Sequence, residues 1–330
     1  MNFDPELLRR AIGVAESGLG LTFPNPIVGA LIVDRDGTVL GEGFHAGGSH
    51  AEILAINDAK SKGHSLQGAT LYCSLEPCNH LGKTPPCSDA IIESGINSVY
   101  FAISDPNPIA SGGASKLLDA GLVVKGELLV KEASISNRAW MTKIALGRPR
   151  ITVKIAQTLD GRVAAADGQS KWITSAGSRA HSKRLRDSFD AICVGSGTAL
   201  ADNPTLRGAT RNPARYVIGE RILPKLLLDA QEGFEQVKTH NALDVTEVLA
   251  FRGFNSVLIE GGPTLVSAFL AANIVDEIHL YLAGSIMGSG KASIEIPEFA
   301  NFSQQLHFEI SALSIIEGDI FASYLKKEII

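Results

Sequence analysis

The sequence predicts an α/β fold in two successive domains, residues 1–146 and 147–330. Three observations predict it. The chain has 330 residues, enough for each half to bury a core of its own. Short apolar runs alternate with helical patterns through both halves. Between them, "GRPR" (147–150) reads as a joint.

The first half opens on "MNFDPELLRRAIGVAESG", where Leu7, Leu8, Ala11, Ile12 and Ala15 recur at helical spacing. Its acidic start and broken apolar pattern do not fit a secretory signal. "IVGALIV" (27–33), "ATLYCSL" (69–75) and "SVYFAI" (98–103) read as buried strands. The segments 51–63, 88–95 and 113–121 read as helices ending at glycine. A longer helix is expected over about 128–146. Together these elements make an α/β layer with a mostly covered sheet.

After the joint, strands begin again with "ITVKIA", "AICVG", "RYVIG", "SVLIEGG" and "EIHLYLA". Helical patterns such as "GSRAHSKRLRDS" and "TLVSAFLAAN" separate them, and weak alternation over about 306–326 ends the chain as strands.

Bulk chemistry narrows the function classes. Thirty basic residues against 35 acidic ones give a net charge of −5, and no basic run stands out. That argues against a large nucleic-acid surface. No run reaches the roughly 18 apolar residues of a membrane helix. Four cysteines do not make a disulfide scaffold, and clustered cysteines in a reducing compartment more often bind metal or act chemically. The expectation is a cytoplasmic protein with no membrane or nucleic-acid partner.

The cysteines that matter lie in "EPCNHLGKTPPC" (76–87). Cys78 and Cys87 supply two thiolates, and His50 in "HAE" (50–52) supplies an imidazole. Such a His-Cys-Cys set binds Zn2+ and leaves the fourth position open. Cys87 follows Pro85 and Pro86 and is placed at a helix start, which favours its thiolate. Glu52, two residues after His50, is the expected catalytic acid/base. H-x-E followed by P-C and a later Cys is the zinc-deaminase pattern, here with a longer spacing between cysteines. Cys73 and Cys193 fall within strand patterns and read as core. A structural zinc protein would need a fourth ligand, for which Cys73 is the one candidate. A nucleic-acid base deaminase with a C-terminal docking module is the rival enzyme reading, opposed by the acidic balance.

In the second half, "GSGTAL" (195–200) and "EGGPTL" (260–265) follow strands and could cradle phosphate on backbone N–H groups. Neither is a G-x-G-x-x-G fingerprint.

"NPIVGALIV", "HAE", "SLEPCNHLGKTPPC" and "DPNP", in this order, resemble the bifunctional deaminase-reductase family of riboflavin biosynthesis. The resemblance continues through "VKIAQTLDGRVA", "SKWITS", "GSGTALADNPTL" and "LIEGGPTL" and covers nearly the whole chain. It implies a cytidine-deaminase-like three-layer first domain and a dihydrofolate-reductase-like α/β second domain. The implied reactions are deamination of 2,5-diamino-6-ribosylamino-4(3H)-pyrimidinone 5′-phosphate and NADPH reduction of its ribosyl group. The implied partner is that small pyrimidine ribonucleotide, and the protein is expected to be a homo-oligomer.

Residue by residue, the resemblance makes His50, Cys78 and Cys87 zinc ligands and Glu52 the proton shuttle. It assigns Asn25, His80, Lys83, Asp105 and Asn107 to the deaminase substrate. Ala156, Trp172, Thr198, Asp202 and the run Gly262, Pro263, Thr264, Leu265, Val266, Ser267 and Ala268 would face NADPH. Lys154, Ser170, Thr174, Arg186, Leu206, Arg207 and Glu260 would line the ribosyl substrate. Arg186 and Arg207 are expected phosphate partners, since guanidinium forks onto phosphate. This chain departs from the pattern at Arg207 and Arg211, either of which could take the phosphate-binding place. Glu220 stands where a hydroxyl residue is common near the cofactor 2′-phosphate, and the segment after it is short.

Overall fold

A computed structural model describes residues 3–81, 85–170, 172–223, 234–296 and 304–327. The chain divides into two compact units, Met1–Leu146 and Gly147–Ile330.

The first unit is a five-stranded sheet between two helical layers. Its strands are β1 (Gly29–Val33), β2 (Val39–Phe44), β3 (Thr70–Leu75), β4 (Ser98–Ile103) and β5 (Val123–Lys125), in the order β2-β1-β3-β4-β5. The pairs β3–β4 and β4–β5 are parallel, while β1 runs antiparallel to both neighbours. Side-chain alternation sorts the two cores. Ala30, Ile32, Leu71, Cys73, Val99 and Phe101 meet α2 (Ala51–Ser61), α3 (Cys87–Ser94) and α4 (Gly113–Asp119). Leu31, Val33, Tyr72, Tyr100 and Ala102 meet α1 (Pro5–Ala15), α5 (Val130–Ser136) and α6 (Arg138–Leu146). Leu8, Ala11, Ile12 and Ala15 of α1 are buried as the periodicity requires, and Leu7 packs at the margin. The Asp4 side chain caps α1 by accepting from the Glu6 N–H at 2.9 Å.

Two features differ from the sequence reading. The expected single helix over 128–146 is two helices, broken at Asn137. Asn137 is buried; its Oδ1 accepts from the Ile27 N–H at 3.0 Å and its Nδ2 donates to the Ile27 carbonyl at 2.8 Å. The side chain thus satisfies a backbone segment 110 positions away. Strand β2 also lies outside the runs that read as strands, because Gly41 and Gly43 interrupt its alternation. A Cβ at those positions would sit 2.4 Å from the Ala55 carbonyl and 2.5 Å from the Ala51 carbonyl. Glycine lets α2 lie directly on β2, which fixes where the first turn of α2 points.

The second unit holds an eight-stranded sheet. Its strands are β6 (Arg150–Thr158), β8 (Ala191–Gly195), β9 (Ala214–Ile218), β10 (Phe234–Val237), β11 (Ser256–Glu260), β12 (Glu277–Ala283), β14 (Phe308–Ile316) and β15 (Asp319–Lys326). They run in the order β10-β9-β8-β11-β6-β12-β15-β14, and β7 (Arg162–Ala164) pairs separately with β13 (Lys291–Ala292). The first six are parallel; β15 and β14 add an antiparallel hairpin. The helices are α7 (Ala176–Leu185), α8 (Ser196–Asp202), α9 (Ala242–Phe251) and α10 (Pro263–Ala271). One sheet face packs Ile151, Val153 and Ile155 against Val245, Leu249, Val266 and Phe269 of α9 and α10. Cys193 belongs to that core, and Cys73 to the core of the first unit, as their strand patterns predict. Over β6, β11 and β12 the other face carries polar side chains, among them Lys154, Glu260 and His279 in one lateral row. The shortened segment after Glu220 lies largely outside the described residues.

Candidate active sites

In the first unit, three chain segments converge beyond the C-terminal end of β3. His50 is the residue that precedes α2, Cys78 lies in the turn after β3, and Cys87 opens α3. The His50 Nδ1 stands 3.4 Å from the Cys78 Sγ and 3.2 Å from the Cys87 Sγ. All three donor atoms lie within 4.8 Å of one another. Zn–S near 2.3 Å and Zn–N near 2.0 Å at tetrahedral angles imply an N–S separation of about 3.5 Å, so this donor set fits zinc. Cys73 is not in the cluster, which leaves three protein ligands among the described residues. The arrangement therefore has the open position of a catalytic site rather than the closed shell of a structural one.

A bond from the Cys87 thiol lowers the Cys78 thiol to about 4, and His50 adds to the effect. The same bond pushes Cys87 upward. Hydrogen bonding to Cys78 raises His50. Glu52 is 3% exposed, in the first turn of α2, and burial pushes its carboxyl up to about 7. A carboxyl poised there can both accept and return a proton near neutral pH.

A cavity of about 220 Å³ adjoins these groups. Asn25, His80, Asp105 and Asn107 all line it, as the sequence reading expects of substrate contacts. Lys83 lies outside the described residues. The His80 Nδ1 is buried without a hydrogen-bond partner among the described residues. Burial raises the Asp105 carboxyl, and its Oδ1 accepts from the Asn107 N–H at 2.8 Å.

Three further lining residues escaped the sequence reading. His45 presents Nδ1 to the Ser49 carbonyl at 3.1 Å and Nε2 to the Asn25 Nδ2 at 3.3 Å. The carbonyl requires a proton on Nδ1, so Nε2 accepts from the Asn25 amide and fixes its orientation. Burial lowers the pKa of the His45 imidazole. Glu76, also buried, accepts from the Asp105 N–H at 3.2 Å and from the Gly112 and Ala114 N–H groups at 3.2 and 3.0 Å. It ties the 105–112 loop to the turn that carries Cys78. Trp140 of α6 closes one side. A local signal existed for Glu76, directly before Pro77 and Cys78; none existed for Trp140.

In the second unit, the two glycine-rich turns meet. They leave neighbouring parallel strands, β8 and β11, and the Thr198 Oγ1 accepts from the Gly262 N–H at 3.0 Å. Thr198 therefore ties one turn to the other, and Gly262 gives its N–H to protein. Of the run 262–268, Gly262, Pro263 and Thr264 keep accessible surface, whereas Leu265 and Val266 turn into the core. The Ser267 Oγ accepts from the Glu295 N–H at 2.8 Å, and Ala268 packs at the core margin. Asp202 is exposed at the end of α8.

Lys154, Arg186 and Glu260 come together. Glu260, 3% exposed at its side chain, takes Arg186 Nε at 2.5 Å and Nη2 at 2.8 Å, with the Lys154 Nζ at 3.5 Å. Burial opposes its charge, yet Lys154 and Arg186 hold the carboxyl below its ordinary range. Ala156 shares the Lys154 face of β6, two residues on. Arg186, an expected phosphate partner, forks its guanidinium onto Glu260, and its Nη1 donates to the Arg207 carbonyl at 3.0 Å. Arg211 lies against Asp187, donating its N–H to Oδ1 at 3.0 Å and its guanidinium to the carbonyl. Arg207 is exposed. The Leu206 side chain is 2% exposed, in the core with Ile192 and Val217, so only its backbone can face a ligand. Ser170 is half-buried, and Thr174 is buried with its carbonyl accepting from Arg179. Trp172 is 73% exposed, with the Arg179 guanidinium 4.1 Å over its ring.

The cytidine and deoxycytidylate deaminase zinc-binding region matches residues 1–103, and the RibD C-terminal domain matches residues 149–319. The riboflavin biosynthesis protein RibD of Mycobacterium tuberculosis is 38% identical over 320 residues, covering 93% of each chain. The chain belongs to the RibD family. RibD of Escherichia coli is 34% identical, covering 96% of this chain and 98% of its own. A crystal structure from Thermotoga maritima, a diaminohydroxyphosphoribosylaminopyrimidine deaminase/5-amino-6-(5-phosphoribosylamino)uracil reductase, superposes with a TM-score of 0.88 at 33% identity and 98% coverage of both chains. This RibD-family chain is thus a bifunctional deaminase and reductase of riboflavin biosynthesis, acting on a small pyrimidine. Its first domain is a deaminase with a His50/Cys78/Cys87 zinc site, and its second is a dihydrofolate-reductase-like domain that implies NADPH. No helix among the described residues is long and apolar enough to cross a membrane.

Proposed function

We propose that residues 1–146 hydrolyse the exocyclic amine from 2,5-diamino-6-ribosylamino-4(3H)-pyrimidinone 5′-phosphate. Residues 147–330 then reduce the ribosyl group of the product to ribityl, giving 5-amino-6-ribitylaminouracil 5′-phosphate. The observation that carries the first step is Glu52, buried beside the His50/Cys78/Cys87 cluster on the wall of the cavity. Zinc, when bound there, supplies Lewis acidity at an open coordination position. Glu52 accepts the proton of the attacking water and delivers it to the departing amine, which leaves as ammonia. Asn25, held by His45, and Asp105 and Asn107, held by Glu76, contact the pyrimidine edge. His80 offers the unpartnered Nδ1 to the substrate.

In the second domain NADPH supplies the hydride. Gly262–Thr264, Thr198, Asp202, Ala156 and Trp172 line its side of the site. Lys154 places an ammonium where negative charge develops on the sugar oxygen, while Glu260 and Arg186 hold it in place. Exposed Arg207 takes the substrate phosphate, in preference to the engaged Arg211. Arg221 offsets Glu220: its Nη1 lies 3.4 Å from the position a Cβ would take on Gly197, close to the first glycine-rich turn. The protein acts as a cytoplasmic homo-oligomer.

The test pairs the two activities. Glu52→Gln should keep its zinc, lose deamination by at least about 10²-fold, and still oxidise NADPH on the deaminated substrate. Unimpaired deamination in that variant would sink the proton-shuttle role. Absence of NADPH oxidation by the wild type on deaminated substrate would sink the reductase role.

A further inference from the structure

The "TLDG" turn (158–161) lies in a stretch that carries the family resemblance, yet neither reaction uses it. It opens a segment, 159–170, that leaves the second sheet at the end of β6. Another segment, 284–293, leaves at the end of β12, and the register pair Thr158–Ala283 sets the two exits side by side. Among the described residues, the bonds that tie 159–170 to distant chain all reach this second segment. The Leu159 N–H donates to the Ser285 carbonyl at 2.8 Å, and the Ser293 N–H to the Gly161 carbonyl at 2.9 Å. Strands β7 and β13 pair between them. Beyond Ala164 the segment bonds to itself, with the Ala165 N–H donating to the Gln169 carbonyl at 2.8 Å. It is a flap held at its base.

The Asp160 carboxylate stands at that base. Its Oδ1 accepts from the Thr158 Oγ1 at 2.5 Å and from the Met287 N–H at 3.1 Å, and its Oδ2 accepts from the Gly288 N–H at 2.7 Å. The Thr158 hydroxyl, with these two N–H groups, holds the carboxyl down to about 2, so it is ionised at neutral pH. Bonds to an ionised acceptor are the strong ones, and two successive N–H groups converge on this one. The far end of the stretch is also constrained: Trp172 has a φ of 69°, which a residue with a side chain adopts when its surroundings impose it.

We propose that Asp160 is a positioning residue of the reductase, latching the 159–170 flap to the 284–288 turn so that the flap stands ordered beside the bound cofactor. The inference rests on the reading that Ala156 and Trp172, which flank this segment, face NADPH. A latched flap loses little freedom when the cofactor arrives, whereas a loose one must be ordered at the expense of binding. Asp160 is engaged by three protein groups, so its effect reaches the reaction through the flap.

The test uses the full-length chain as wild type, Asp160→Ala, Asp160→Asn and Gly288→Ala. The last leaves Asp160 intact and strains the same turn, since Gly288 has a φ of 74° and open space where a Cβ would stand. Circular dichroism, bound zinc and deamination verify the fold of each. Hydrogen exchange at 159–164 and 287–293 reads the latch. Titration with NADP+ reads the cofactor site, through protection of tryptophan from acrylamide quenching. Trp172 dominates that signal, because the other tryptophan, Trp140, is 5% exposed. Exchange in both segments should quicken at least about tenfold in Asp160→Ala and Gly288→Ala, and Kd for NADP+ should rise about tenfold. Asp160→Asn keeps one acceptor oxygen and should fall between these and the wild type. Wild-type NADP+ affinity and NADPH oxidation in variants whose segments exchange faster would overturn the latch, as would unchanged exchange. If Asp160→Ala does not fold, the other two variants decide on the same terms. A wild type whose tryptophan NADP+ leaves unprotected overturns the cofactor placement itself, and does so without any substitution.

Discussion

Arg186 clasps Glu260 with two parallel bonds, Nε to Oε1 at 2.5 Å and Nη2 to Oε2 at 2.8 Å. The pair is buried in the reductase domain, and Lys154 approaches the same carboxylate from β6. Arg186→Ala leaves Glu260 buried with one distant cation, and should destabilise the chain by about 3 kcal/mol in urea titration. The pH dependence has a definite sign. The Glu260 carboxyl is held below its ordinary range, so the stabilisation is present above the ordinary carboxylate pKa and is lost as pH falls through the lowered value. Glu260→Gln should flatten that acid limb; an unchanged limb would show that other carboxylates govern it.

The zinc donors should fail as a unit. Cys78→Ser, Cys87→Ser and His50→Ala each break a three-ligand shell. Each should lower bound zinc well below one per chain and cut deamination by at least about 10²-fold. Chelation of the wild type should do the same, reversibly. NADPH oxidation on deaminated substrate should survive both treatments, because the reductase residues lie in the other unit. Loss of both activities on chelation would contradict independent sites.

Glu76 positions rather than reacts. Glu76→Ala removes the acceptor from three backbone N–H groups, those of Asp105, Gly112 and Ala114. With each unsatisfied donor costing about 1–3 kcal/mol when buried, the 105–112 loop should loosen. Steady-state kinetics should then show KM for the pyrimidine nucleotide raised about tenfold and bound zinc unchanged. Glu76→Gln keeps one acceptor oxygen and should recover part of the loss. A fall in kcat alone would assign Glu76 to the chemistry instead.

The sequence carried the metal cluster because its chemistry dictates residue types at places local order can fix: His50 before one helix, Glu52 in that helix's first turn, and Cys87 at the start of another. His45 and Trp140 could not be read that way. Their place on the cavity wall depends on how α6 and the loop after β2 fold over the sheet. The break at Asn137 was hidden for the same reason, since its partner Ile27 is 110 residues distant while the helical period runs on either side. In the reductase domain the motifs mark two turns that follow neighbouring strands, but not which of their side chains turn inward. Burial turns Leu206, Leu265 and Val266 inward, and Glu260 takes up Arg186.

Cofactor preference depends on two adjacent residues of opposite charge, Glu220 and Arg221. Glu220 alone would repel a 2′-phosphate, but the next residue, Arg221, extends towards Gly197 at the first glycine-rich turn. Its carbonyl accepts from the Gln236 Nε2 at 2.9 Å, which anchors the backbone while the guanidinium stays at the surface. An exposed arginine paired with phosphate is worth about 1 kcal/mol, near the upper end for surface pairs. Arg221→Ala should therefore weaken NADPH binding about fivefold, measured by nicotinamide fluorescence, and leave NADH binding unchanged. The difference should shrink as salt rises, because the 2′-phosphate contact that distinguishes the two cofactors is screened. Equal weakening of both cofactors would mean that Arg221 supports the turn and does not read the phosphate. Glu220→Ser should move the preference the other way, towards tighter NADPH.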